Sequence, residues 1–189
     1  MVIISLVGPR TVGKTTIGKE LSNISDYKFI NLDQFMSKKL KSYGGIFGYV
    51  NKFSWNKYFK LVNTVLKDLI KKYKTKNIVL DLGGGTTASR FSASKENAKF
   101  IRKISNVFLI LPTKSKKENL EIIFKREYLR NKKGSNTWAE GWSKKKFDKA
   151  IKEHYNLRVP KFKEHADYIV YTKYKSPKQI AKSILKLVK

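Results

Sequence analysis

Apolar positions along this chain keep two rhythms. Short, nearly unbroken apolar runs occur at residues 2–7, 28–32, 77–82, 107–111 and 168–171, and each has the length of a buried strand. Longer stretches between them repeat apolar residues at three and four, which predicts helices over 14–22, 54–73, 94–103, 115–130, 144–155 and 177–188. The clearest stripe is Trp55, Tyr58, Phe59, Val62, Val65, Leu66, Leu69, Ile70 and Tyr73. Pro177 suits the first turn of the closing helix, where no amide hydrogen is needed. Residues 131–143 have no clean period and carry Gly134, Trp138, Gly141 and Trp142, so they read as a mobile flap. Strands alternating with helices predict an α/β fold of three layers, with a mainly five-stranded parallel sheet covered on both faces. A chain of 189 residues without an internal repeat is one domain, residues 1–189.

The first strand runs into Gly8-Pro-Arg-Thr-Val-Gly13-Lys14-Thr15, which fits G-x-x-x-x-G-K-[ST] between a strand and a helix. Glycines let backbone amides converge on phosphate oxygens, and the helix that follows adds its positive end. Gly8, Arg10, Thr11, Val12, Gly13, Lys14, Thr15 and Thr16 are therefore candidate nucleotide contacts. Lys14 is placed to reach the terminal phosphates, and the Thr15 hydroxyl to bind Mg²⁺. The implied cofactors are ATP and Mg²⁺, in a P-loop kinase fold.

Phosphoryl transfer also needs acids for the ion and for the attacking group. In such sheets these stand at the carboxyl ends of strands. Asp33 follows the second strand and Asp81 lies near the end of the third. Asp33 also has the character of a helix N-cap. Asp81, in an otherwise apolar strand, needs a strong partner such as Mg²⁺. Gly83-Gly84-Gly85 follows at once, and three glycines at a strand end allow a ligand close to the backbone.

Charge changes the picture more than composition does. Lysine and arginine total 42 against 14 acids, a net charge of +28. Attraction to nucleic acid and a lysine-rich solvated coat are both consistent with that value. Only six of the cations are arginine, so Arg10, Arg126, Arg130 and Arg158 gain weight as site residues. There is no cysteine, which excludes disulfides and thiolate metal sites and fits a cytoplasmic protein. No apolar run approaches the roughly 20 residues of a membrane span. His154 and His165 are too isolated for a zinc site. Trp138 and Trp142 suit stacking on an acceptor ring or burial of the flap, and Arg130 at its edge is a candidate for the γ-phosphate on closure.

Taken together, these motifs resemble the shikimate kinase family of small P-loop kinases over nearly the whole chain. The resemblance implies that Asp33 orients the accepting hydroxyl and that Gly83, Gly84 and Gly85 touch the acceptor. It implies that Arg158, in Arg158-Val-Pro160-Lys-Phe ahead of Ala166-Asp167, holds a carboxylate. It matches Arg126 and Pro177 to the residues that enclose adenine. The chain departs from the family pattern at three places. Asn31 stands where the family has a second Mg²⁺ acid, so that Asp81 is expected to take over beside Thr15. Phe59-Lys60-Leu-Val-Asn63 replaces a motif with arginine, so Lys60 supplies charge without a fork. The flap, with Asn136-Thr-Trp138, lacks the family's Arg-Pro-Leu-Leu.

The expected protein is a monomeric ATP-dependent kinase with an acceptor-binding region about 33–62 and a lid about 130–143. Its acceptor is a small, anionic molecule with a hydroxyl, and shikimate is the first candidate. A nucleotide, nucleoside or polynucleotide kinase, or a nucleic-acid-binding P-loop protein, remains the alternative.

Overall fold

A computed structural model describes residues 1–132 and 141–188. The five apolar runs form β1 (Ile3–Val7), β2 (Lys28–Asn31), β3 (Ile78–Asp81), β4 (Asn106–Leu111) and β5 (Tyr168–Tyr171). All pair in parallel, in the order β2-β3-β1-β4-β5. β1 and β3 are buried along their whole length, the expected state of central strands with helices on both faces.

The predicted helices are present as α1 (Lys14–Asn23), α4 (Trp55–Lys72), α5 (Ser92–Ile104), α6 (Lys116–Lys132), α7 (Lys144–His165) and α8 (Pro177–Leu187). In α4 the residues Tyr58, Phe59, Val62, Val65, Leu66 and Leu69 face the core, as the stripe requires. Ser54 caps this helix by accepting from the Lys57 amide. Leu66 is fully buried, and its truncation to alanine would cost about 2–5 kcal/mol. α8 opens with a capping box: Ser176 accepts from the Gln179 amide and Gln179 accepts from the Ser176 amide.

Two differences from the expected elements matter for function. The stretch after β2 folds into α2 (Leu32–Lys39) and α3 (Gly45–Lys52), separated by a short 3₁₀ turn at Lys41–Tyr43. These helices are too short and too aromatic to show a period. α7 continues ten residues beyond the predicted end, through Pro160. Proline normally breaks a helix, but Pro160 and Asn156, whose carbonyl loses its partner, are both exposed residues. Phe147, Ile151, Tyr155, Val159 and Phe162 still bury one continuous face. Arg158 thereby rides on a helix rather than on a loop.

Strand register sets the stage for chemistry. Leu6 and Asn31 both pair with Asp81, so the ends of β1, β2 and β3 share one row. The phosphate loop, α2 and the glycine triplet all leave the sheet from that row.

Candidate active site

The loop from Gly8 to Gly13 joins β1 to α1. Gly8 takes φ +144, and a β-carbon there would stand 2.5 Å from the Ile110 carbonyl oxygen, so no other residue fits. Gly13 caps α1 at φ +103. Lys14 folds back over the loop, and its Nζ donates to the carbonyls of Gly8 at 3.0 Å and Pro9 at 2.8 Å. Burial lowers the Lys14 pKa, against the attraction of Asp81 and Asp33, while Arg10 and Arg158 add to the lowering. Val12 is buried and Thr16 is exposed.

Beside the start of α1 the Thr15 hydroxyl donates to Asp81 Oδ2 at 2.5 Å. Asn31 Nδ2 donates to the same oxygen at 2.7 Å and lies 3.4 Å from Thr15 Oγ1. Its Oδ1 accepts from the Gln34 amide at 2.8 Å, which makes Asn31, not Asp33, the N-cap of α2. The Asn31 amide therefore turns its NH₂ toward Asp81 and Thr15, and a donor does not ligate a cation. That geometry departs from its expected place among the metal ligands.

Thr15 and Asp81 offer hard oxygen donors side by side. Among the described residues no group of three or more His, Cys, Asp or Glu gathers to hold a metal ion. That set fits Mg²⁺, which keeps most of its water and needs only one or two protein oxygens.

Asp33 lies in the first turn of α2, where a carboxylate suits the helix dipole. It opens on the cleft, yet its carboxylate sits against Gly83, where a β-carbon would stand 2.1 Å from Oδ1. Lost hydration raises its pKa, outweighing the pull of Lys14, and Asp81 raises it further. Beneath it lies Tyr58, whose phenol is raised far above its ordinary value by burial and by Asp33.

Arg158 reaches the same place from α7. Its Nη1 would lie 3.0 Å from a β-carbon at Gly84, and its Nη2 3.9 Å from one at Gly85. Burial pulls its pKa down to about 10, with Arg10 adding and Asp33 opposing. Its buried Nε has no hydrogen-bond partner among the described residues. A cation so placed, with a buried donor to satisfy, suits an anionic group on the acceptor. The Phe59 ring, 3.0 Å from a β-carbon at Gly85, floors the triplet and stacks on Trp55. Asn97 accepts from Asn63 and donates to the Phe59 carbonyl, which locks α4 onto α5 behind it.

The remaining candidates are spread around this centre. Arg126 lies across the loop, its Nη1 donating to the Thr11 carbonyl at 2.9 Å. Pro177 is exposed at the head of α8, which packs on α1. Lys60 is exposed on α4, one residue from Phe59, and Asn63 is engaged with Asn97 rather than with it. Arg130 is exposed near the end of α6. Trp138 and most of the expected lid, residues 133–140, lie outside the described residues. Trp142 is half-buried beneath Lys146, whose Nζ is 4.4 Å from the ring centre.

Two side chains without a sequence motif of their own complete the site. Glu127 pairs with Arg10 of the loop at 3.1 Å. His154, one helical turn before Arg158, lines a small cavity with Pro9, Arg10 and Arg158. Burial, then Arg158 and Arg10, push its pKa down to about 4, so it is neutral at pH 7. The i, i+4 spacing of His154 and Arg158 signals the pair only when α7 is carried through Pro160.

Comparison with known proteins bears on the family and the fold. A shikimate kinase family model matches residues 10–189. The shikimate kinase of Dictyoglomus turgidum is 33% identical over 172 residues, covering 88% of this chain and 86% of that protein. Two solved shikimate kinases share the fold. That of Bacteroides thetaiotaomicron superposes with a TM-score of 0.74 at 22% identity, covering 98% of this chain and 96% of the other. That of Acinetobacter baumannii, solved with shikimate, gives 0.73 at 23%, covering 99% and 92%. On the family match and on this likeness to a curated shikimate kinase, the chain belongs to the shikimate kinase family.

Proposed function

We propose that this enzyme transfers the γ-phosphate of ATP to a hydroxyl of shikimate. The observation that carries the reading is the meeting of Asp33 and Arg158 at one glycine triplet, at the mouth of the phosphate loop. A base for a hydroxyl and a cation for a carboxylate lie against adjacent glycines, Gly83 and Gly84. That is the pair of contacts a small hydroxy acid needs.

In this reading Arg158 grips the carboxylate and Gly83 to Gly85 let the ring rest on bare backbone. Lys60 adds charge at the rim. Asp33 takes the proton of the hydroxyl as its oxygen bonds to the γ-phosphorus and the bond to the β,γ-bridging oxygen breaks. Lys14 leaves its carbonyl partners for the phosphates and stabilises the charge gathered there. Arg126 and Pro177 bound the adenine, and Arg130 approaches from the lid. Thr15 and Asp81 would hold Mg²⁺, which neutralises phosphate charge, and Asn31 holds Asp81 in place. The cysteine-free chain is read as a cytoplasmic monomer of one P-loop kinase domain, with acceptor region 33–62 and lid 130–143.

The test is coupled ADP release with shikimate, with nucleoside monophosphates and with RNA ends. Shikimate should support turnover at least about a hundredfold above the others, a preference of about 2.7 kcal/mol. Lys14→Ala should abolish it with the fold intact. Faster turnover on a nucleotide would overturn the acceptor assignment.

One observation favours a second, non-catalytic role for the surface. Residues 34–67 carry seven lysines, all exposed, and no acid. Phe35, Tyr43, Phe47 and Phe53 are 37–49% exposed among them. Rings between cations are what single-stranded nucleic acid binds. Binding to an RNA oligomer with a steep salt slope would support that role, and none at about 50 mM salt would remove it.

A further inference from the structure

Thr11 is a β-branched residue at φ +58, the left-handed region that such residues resist. A strained loop persists only where its surroundings hold it. Here two consecutive residues of α6 hold two consecutive residues of the loop. Arg126 Nη1 donates to the Thr11 carbonyl at 2.9 Å. Glu127 Oε1 accepts from Arg10 Nε at 3.1 Å. The Thr11 hydroxyl closes the turn by donating to the Arg10 carbonyl at 2.8 Å.

The burial of the pair is lopsided. The Glu127 side chain is 1% exposed and that of Arg10 is 35% exposed. A carboxylate sunk so deep needs charged or hydrogen-bonding partners, Arg10 is one of them, and a charge-assisted bond from a fixed helix directs it. Glu127 lies on the same buried face as Ile123, so its position is set by packing and not by the loop. The helix is the anchor and the loop is what is moored.

We propose that Glu127 is a positioning residue for nucleotide binding. Through Arg10 it keeps the phosphate loop in the left-handed turn at Thr11, and the Arg10 guanidinium serves the loop rather than the phosphates. The proposal rests on the kinase reading above.

The test is Glu127→Gln in the full chain, which keeps the shape and removes the charge. Calorimetry should show ATP with Mg²⁺ binding about tenfold more weakly, the loss of one charge-assisted bond. The KM for ATP should rise in step and the KM for shikimate should stay. Adding Thr11→Gly should recover most of the loss, because glycine adopts positive φ without strain. If Glu127→Gln does not fold, Arg10→Met with Glu127→Leu replaces the pair by apolar groups, and the same loss and recovery are expected. ATP affinity unmoved by either variant, or a loss that Thr11→Gly fails to recover, would overturn the proposal. Wild-type protein that binds no ATP would instead sink the kinase reading itself.

Discussion

A β-carbon on Gly83 would stand 2.1 Å from Oδ1 of Asp33, so the carboxylate occupies the space that a side chain at the end of β3 would fill. Gly83→Ala should push Asp33 off its position without touching the phosphate loop. A displacement of the base by about 1 Å costs on the order of a hundredfold in rate. We expect kcat to fall by that order, with ATP affinity unchanged by calorimetry. An unchanged kcat would mean that Asp33 has no role in the chemistry.

Asp33→Asn tests the same residue through its charge. Turnover should fall far more than ATP affinity, since the proton is taken only in the transition state. The raised pKa fixes the direction of the pH effects. The base must be ionised, so wild-type kcat should decline on acidification at a pH above the ordinary carboxylate value of 3.8. Stability runs the other way. An acid bound more tightly to its proton in the folded state stabilises fully below 3.8 and loses that contribution as pH rises through its folded value. Once ionised, Asp33 is a cost to the fold, so above its folded value Asp33→Asn should keep or slightly raise Tm. The cleft is open, so solvent screens most of the effect. A Tm that falls at pH 7 while kcat holds would assign Asp33 to the fold.

Much of this site is legible in the order of residues alone. Gly8 to Thr15, Asp33, Asp81 and the triplet each follow an apolar run, and a parallel sheet brings strand ends together whatever the loops do. Contacts that depend on tertiary phase are not legible there. Pro160 has the mark of a helix end, which hides the alignment of His154 with Arg158 along one helix. Glu127 falls in a helix with little amphipathic contrast, and only packing shows it buried against Arg10. Asn31 carries no mark of its orientation until Gln34 fixes one end of its amide. The short helices α2 and α3 hold too few turns for a period to emerge.

Asp81 and Asn31 make separable predictions for Mg²⁺. Asp81 carries the charge that would oppose the ion, and Asn31 only steadies it by a bond of 2.7 Å. Asp81→Asn should raise the half-saturating Mg²⁺ concentration by at least about tenfold. Asn31→Ala should raise it by less than Asp81→Asn does, because the Thr15 hydroxyl still donates to the same Asp81 oxygen. Titration of Mg²⁺ at fixed ATP reads both. A larger shift from Asn31→Ala than from Asp81→Asn would reverse the assignment.

Arg158 decides whether the acceptor is held by its charge. It is half-buried, its Nη1 lies against Gly84, and its Nε has no partner among the described residues. Arg158→Ala should raise the KM for shikimate by about tenfold to a hundredfold, the loss of one charged, hydrogen-bonded contact. The Kd for ATP should barely move. Arg158→Lys should fall between, since it keeps a charge and loses the fork. A pKa pulled down to about 10 still leaves the guanidinium charged at neutrality, and His154, pushed down to about 4, is neutral there. The KM for shikimate should therefore be flat between about pH 6 and 8, because neither group titrates in that range. His154→Asn should leave it so. Lys60, exposed at the rim, should matter less: Lys60→Ala is expected to raise the same KM only about twofold to fivefold, as solvent screens a rim charge. If Arg158→Ala weakened ATP and shikimate equally, Arg158 would belong to the phosphate loop's support, as Arg10 does, and the carboxylate would have to be held elsewhere.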